Sequence, residues 1–175
     1  MSKPILIVMS GLPGSGKSTI AERIAALLGV PVLSVDPIES AIIQAGVKKG
    51  FETGLAAYLV AAAVASEQLK LGISVVIDAV NAEEEGKDTW RELGKKHDLT
   101  PIVIDVFVSN SELHRKRVES RVRNLHGMDE VTWEKVETRR KSFTDWKESV
   151  LRLDSSDDLN ANVAEAVRYI QANSR

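Results

Sequence analysis

The sequence predicts an α/β domain: a five-stranded parallel sheet with helices on both faces. Three observations predict it. Short apolar runs of β type alternate with longer helical segments along the 175 residues. The first run is continuous and mostly β-branched, as a strand buried on both faces requires. A glycine-rich turn joins that run to the first helical segment. With 43% hydrophobic and 27% charged residues the chain can bury a real core.

The elements follow in order. Ile5-Leu6-Ile7-Val8 is the first strand. Ile20, Ile24, Leu27 and Leu28 recur at helical spacing, and Gly29 ends that helix. Pro31 to Val35 reads as a second strand, with a short helix from about Ile38 to Gln44. The stretch from about Thr53 to Lys70 is alanine-rich and apolar nearly all round, which predicts a buried helix. Ile73 to Ile77 is the third strand, and Glu83 to Lys96 a polar helix with Trp90 and Leu93 on one side. Ile102 to Val108 is the fourth strand, and Ser111 to about Arg123 a basic helix. A loop over Asn124–Asp129 leads to a charged helix from Thr132 to Phe143. Val150 to Leu153 is the fifth strand. Leu159, Val163, Ala166, Val167 and Ile170 form the stripe of the last helix. Ligands of such sheets bind beyond the carboxyl ends of the strands. Chemistry is therefore expected just after Met9, Val35, Ile77, Val108 and Leu153.

Gly11-Leu12-Pro13-Gly14-Ser15-Gly16-Lys17-Ser18 matches G-x-x-x-x-G-K-[ST] in full. In this pattern the glycines let backbone N–H groups curl around the α- and β-phosphates, the lysine reaches the β- and γ-phosphates, and the hydroxyl serves Mg²⁺. The following helix points its positive end at the same anion. A strand before the loop and a helix after it give the context the pattern needs, so the fold is expected to be that of a P-loop NTPase. Gly11, Pro13, Gly14, Ser15, Gly16, Lys17, Ser18 and Thr19 are the residues expected around ATP. The bland alternative is a glycine-rich turn whose Lys17 is a surface residue.

The loop alone names no reaction. No N-K-x-D or T-K-x-D segment follows the fourth strand, and no L-S-G-G-Q segment occurs, which argues against a GTPase and a transporter ATPase. A compact nucleotide-dependent kinase remains. Asp36 stands just past the second strand, where a carboxylate can take the proton of an acceptor hydroxyl. Asp36-Pro37-Ile38-Glu39 also reads as a helix cap with Pro at the first helical position. Asp78 ends the third strand, where with Ser18 it is expected to serve Mg²⁺ through a bound water, or else to orient the substrate; an ordinary strand-end turn acid would look the same. Asn81 is expected either to touch substrate or to cap the next helix. Arg115, Lys116, Arg117, Arg121 and Arg123 form a basic cluster. Arg117 and Arg121, four apart, are expected to share a helical face and to neutralise the transferred phosphoryl from a lid over about residues 115–131. A solvated basic face paired with Glu112 and Glu119 would look the same. His97, His114 and His126 lack metal-ligand spacing and are expected on the surface. Trp90, Trp133 and Trp146 are expected on helices as packing anchors.

Taken together, these segments resemble the small P-loop kinases, an AAA-type ATP-binding group with the kinase domain of phage polynucleotide kinase, chloramphenicol phosphotransferase and zeta-type toxins. The likeness runs over about residues 5–153. It rests on Gly11–Ser18, Ser34-Val35-Asp36, Ile77-Asp78-Ala79-Val80-Asn81 and Arg117-Val118-Glu119-Ser120-Arg121. Trp90-Arg91-Glu92-Leu93 and Arg139-Arg140-Lys141-Ser142-Phe143 also look like family segments. The resemblance implies that Asp36 is the general base and that Arg117 and Arg121 serve the lid. Polynucleotide kinases carry an arginine three residues after the base; here that residue is Glu39, which repels a nucleic-acid phosphate.

The expectation is one domain over residues 1–175, acting as an ATP- and Mg²⁺-dependent kinase on a small hydroxyl-bearing molecule. A nucleic-acid 5′-hydroxyl kinase and a nucleotide-binding switch are the alternatives. The net charge of −2 carries no global signature of nucleic-acid binding. The absence of cysteine excludes disulfides and thiolate metal sites and fits a reducing compartment. The apolar run at the start is too short for a signal-peptide core or a membrane span. A cytoplasmic protein, free of membrane, is expected.

Overall fold

The computed structural model describes residues 3–174. Five strands, β1 (Leu6–Ser10), β2 (Val32–Ser34), β3 (Val75–Asp78), β4 (Ile102–Phe107) and β5 (Val150–Asp154), form one sheet in the order β2-β3-β1-β4-β5. Every pairing is parallel. Seven helices connect and cover them among the described residues: α1 (Lys17–Leu28), α2 (Val35–Gln44), α3 (Phe51–Lys70), α4 (Glu84–Lys96), α5 (Ser111–Ser120), α6 (Trp133–Ser142) and α7 (Leu159–Asn173).

Strand alternation divides the core in two. Ile7 and Met9 of β1 face α1 and α7, where they meet Ile20, Ile24, Val163 and Ile170. Leu6 and Val8 face the other way, toward Ala57 and Ala61 of α3 and Trp90 of α4. All five residues of β1 are buried, as its uninterrupted apolar sequence requires. Gly29 closes α1 with a left-handed φ of 67°, its N–H donating to the Ala25 carbonyl. Among the described residues no helix is long and apolar enough to cross a membrane.

Four elements differ from the sequence expectation. The second strand stops at Ser34, where the ladder ends on Asp78, and Val35 is already helical. Ser34 is therefore the N-cap residue and Pro37 the third helical residue, so Asp36 is not the cap. Next, α3 is not buried all round. It buries a stripe of Thr53, Ala57, Ala61, Ala65 and Leu69, while Leu55, Leu59, Val60 and Val64 stay 41–55% exposed. Small residues let this helix lie close to the sheet, and its larger apolar residues point outward. The basic helix α5 ends at Ser120; Arg121 already has extended backbone (φ −74°, ψ 131°). Its sequence carries no apolar stripe whose end could mark the boundary. Finally, Trp146 lies in the segment between α6 and β5 rather than on a helix.

Candidate active site

The loop Gly11–Gly16 bridges the end of β1 and the start of α1, beyond the carboxyl edge of the central strand. Gly11, Gly14 and Gly16 take φ of 144°, 78° and 88°, which side chains rarely adopt. A β-carbon on Gly11 would stand 2.3 Å from the Val106 carbonyl oxygen, and one on Gly14 would stand 2.6 Å from Val118. The Gly11 N–H donates to the Val80 carbonyl, which ties the loop to the segment after β3. Lys17 is the first helical residue and is only 5% exposed. The Ser15 hydroxyl oxygen is buried and finds no hydrogen-bond partner among the described residues.

The sheet register gathers the two acids at this edge. Asp78 pairs with Met9 on one side and Ser34 on the other. The Ser34 hydroxyl donates to Asp78 Oδ2 at 3.0 Å, while Asp78 Oδ1 is buried without a partner among the described residues. Asp36, two residues past Ser34, lines a cleft of about 570 Å³ with Pro13 of the loop, Glu39, Tyr58, Arg123 and Met128. Pro13 of the loop and Asp36 thus line one space. Burial holds the Tyr58 phenol protonated, with its pKa pushed up to about 12, and its oxygen accepts from the Asn81 N–H.

Asn81 takes neither expected role. Its amide donates to the Met9 carbonyl and its oxygen accepts from the Trp90 indole, so it is a buried brace between β1 and α4.

The basic cluster divides. Arg115 pairs with Glu119 on the exposed helix face. Arg117 donates from both terminal nitrogens to Ser155, to its hydroxyl and to its carbonyl. It stands beside the loop, 4.0 Å from where a β-carbon on Gly16 would sit. Arg121 lies past the helix end, so the two arginines share no helical face. Arg123 is the member that meets Asp36: its Nη1 donates to Asp36 Oδ2 at 3.0 Å, and its side chain is only 7% exposed. The same side chain donates to Glu130 and to the Asp129 carbonyl. Ser40 donates to the His126 carbonyl, so the segment after α5 is fastened to α2 at a second point.

Sequence reasoning placed Arg123 in the cluster but missed its partner, which lies 87 residues away. It also missed three buried groups. His114 is 1% exposed, not a surface residue, because α5 packs it beneath Pro13. Lys87 is fully buried and donates to Thr144 and to the Asp145 carbonyl, holding the segment after α6; that burial lowers its pKa. Asp105 on β4 is driven upward in pKa by burial, against the pull of Arg152. His97 is half-buried against the Ser66 hydroxyl, and His126 is exposed.

The comparisons agree with this geometry. Residues 6–145 match the family model of the AAA domain. A cytidylate kinase of Thermus thermophilus is 35% identical over 127 residues, 70% of this chain and 50% of that protein. The chain therefore spans about half the length of that relative. Among solved structures, a sugar kinase from Janibacter superposes with a TM-score of 0.74 at 18% identity, covering 96% of this chain and 95% of that one. Kti12 of Chaetomium thermophilum, in complex with ADP-AlF3, also gives 0.74, at 21% identity over 97% and 99% of the two chains. At such identities the structural likeness is one of fold. The family match spans the strand–loop–helix unit, Asp36, Asp78 and the basic segment, and the chain belongs to the AAA-domain family.

Proposed function

We propose that the protein is an ATP-dependent phosphotransferase that moves the γ-phosphoryl group to a hydroxyl of a small molecule. The observation that carries this is the shared cleft: Pro13 of the phosphate loop and the Asp36 carboxylate line the same space of about 570 Å³. The names of the relatives, a cytidylate kinase and a sugar kinase among them, support the class of reaction.

In this account the N–H groups of Gly11–Ser18 and Thr19 hold the triphosphate, and Lys17 reaches its terminal phosphates. The donor set fits Mg²⁺. Asp78 offers a buried carboxylate oxygen with no partner among the described residues, and Ser18 offers a hydroxyl. One or two protein oxygens suffice for this ion, which takes its remaining ligands from phosphates and water. When bound, it neutralises charge on the phosphates. Asp36 accepts the proton of the acceptor hydroxyl as its oxygen attacks the γ-phosphorus and ADP leaves. Arg123 engages Oδ2 of Asp36 and orients the other oxygen for that proton. Arg117, next to Gly16, and Arg121, on the segment that follows, belong to a lid over residues 115–131 and stabilise the transferred group. Glu39 lines the acceptor side of the cleft, which disfavours a nucleic-acid phosphate there.

The test is ADP release in the presence of sugars, nucleosides and amino alcohols, with Asp36→Asn as control. Stimulation by one acceptor class, lost in the variant, supports the proposal. Slow turnover indifferent to every acceptor would point to a nucleotide-binding switch instead.

A further inference from the structure

His114 is a buried titratable group that the proposed phosphotransfer does not use. Its Nε2 lies 2.8 Å from the Pro13 carbonyl oxygen, and its Nδ1 lies 3.1 Å from Nη2 of Arg140. The two neighbours fix the protonation state. A carbonyl only accepts, so Nε2 carries the hydrogen. A guanidinium only donates, so Nδ1 offers its lone pair. Both bonds exist together in one form of the ring, the neutral Nε2–H tautomer.

The ring also sets the position of the loop it touches. Gly14 packs against the same helix so closely that a β-carbon would meet Val118 at 2.6 Å and the His114 ring at 3.4 Å. The Trp133 indole of α6 stands edge-on to the imidazole, with centroids 5.2 Å apart at 85°. Arg140 lies over that indole at 5.8 Å. A continuous chain of contacts thus runs from α6 through α5 to the tip of the phosphate loop. The charged groups around the ring are Arg117 on its own helix and Arg140 and Glu137 on α6, and Asp105 of β4 and Arg152 of β5 line the same small cavity as the imidazole; the loop contributes the Pro13 carbonyl. Three cations against two carboxylates, with Arg140 in direct contact with Nδ1, make this a poor place for an imidazolium.

We infer that His114 is a positioning residue for the phosphate loop. The chain Arg140–His114–Pro13 couples the seating of α6 to triphosphate affinity, and it does so while the imidazole is neutral. A proton on Nδ1 would break the Arg140 bond and set two cations face to face. Burial first, and then Arg140 and Arg117, hold the pKa of His114 below its usual value, against the Pro13 hydrogen bond and Glu137. The loss is therefore expected on the acid side of neutrality. The inference rests on the reading of Gly11–Ser18 as a nucleotide site.

The experiment measures the ATP dissociation constant of the full chain between pH 5.5 and 8 for wild type, His114→Gln, His114→Leu and Arg140→Leu. Gln can still donate to Pro13 and does not titrate. At pH 7.5 His114→Gln is expected within about threefold of wild type. His114→Leu is expected about tenfold weaker, the size of one buried hydrogen bond. As pH falls, the wild-type constant should rise relative to that of His114→Gln; in this ratio the titration of ATP itself cancels. In Arg140→Leu the His114 imidazole should titrate at higher pH by NMR. A ratio that stays flat across the range, with His114→Leu binding as wild type does, would overturn the inference. If His114→Leu fails to fold, the pH dependence of the Gln ratio and the Arg140→Leu titration decide alone. Wild type that binds no ATP at any pH would remove the nucleotide reading itself, a result distinct from unchanged binding in the variants.

Discussion

Asp36 and the loop glycines carry the sharpest consequences at the scale of single residues. Ser34 occupies the cap position of α2, so the Asp36 carboxylate is not spent on backbone N–H groups and meets Arg123 instead. Asp36→Asn keeps an oxygen for that guanidinium but loses the capacity to take a proton. Turnover of an acceptor is expected to fall by about 10²–10⁴-fold with ATP affinity nearly unchanged, measured by coupled ADP release and calorimetry. An Asn variant that turns over at the parental rate would remove Asp36 from the chemistry. Gly14→Ala meets a double obstacle, a φ of 78° and Val118 2.6 Å away. A left-handed alanine costs about 1–2 kcal/mol before the clash is counted. The expected outcome is a folded protein with lower thermal stability and much weaker triphosphate binding. Equal ATP affinity in this variant would mean that the loop does not need its present shape.

At the scale of elements, α3 shows what composition can and cannot reveal. Its alanines at 57, 61 and 65 are fully buried against the sheet, while Leu59 is 55% exposed. Ala61→Leu should therefore cost about 1–3 kcal/mol by overpacking. Leu59→Gln should shift stability by no more than about 0.5 kcal/mol. Denaturant melts of the two variants test the orientation of the helix; the reverse ranking would refute it. The orientation was not legible because an apolar residue on either face looks the same when the whole helix is apolar. The strands were easier. Continuous runs such as Leu6–Met9 have no polar position to mislead, and the sheet buries them on both sides. The end of α5 was illegible for a third reason. After Ser120 the chain leaves the helix so that Arg123 reaches Asp36, a contact between elements that no local pattern records.

Across the whole molecule, buried titratable groups tie stability to pH. His114 is neutral in the folded protein, and its pKa lies below the ordinary value of about 6.5 that the unfolded chain keeps. Between the two values the unfolded chain holds more protons, so stability rises with pH there. It is complete above about pH 6.5 and is lost as pH falls below it. At lower pH Glu148 adds to the loss, because the Arg91 guanidinium holds its carboxyl below the usual range. Asp105 acts in the opposite sense: burial raises its pKa, so acid relieves the cost of its charge. Thermal melts from pH 7.5 to 5.5 should show a falling midpoint in wild type and a flatter one in His114→Gln. Equal slopes would assign the acid loss elsewhere. These long-range pairings were hidden in the sequence, whereas the strand–loop–helix geometry of Gly11–Ser18 was legible because its eight residues are contiguous and its glycines mark the turn. Asp36 and Asp78 were legible as strand-end acids, and the register Ser34↔Asp78 explains why they share an edge. Every role proposed at this edge requires the triphosphate to sit on that loop. Calorimetric titration of ATP into wild type and Lys17→Ala, each shown folded by circular dichroism, tests it most directly. Saturable binding by wild type and strongly weakened binding by the variant are expected; equal affinity in the two would place the triphosphate elsewhere.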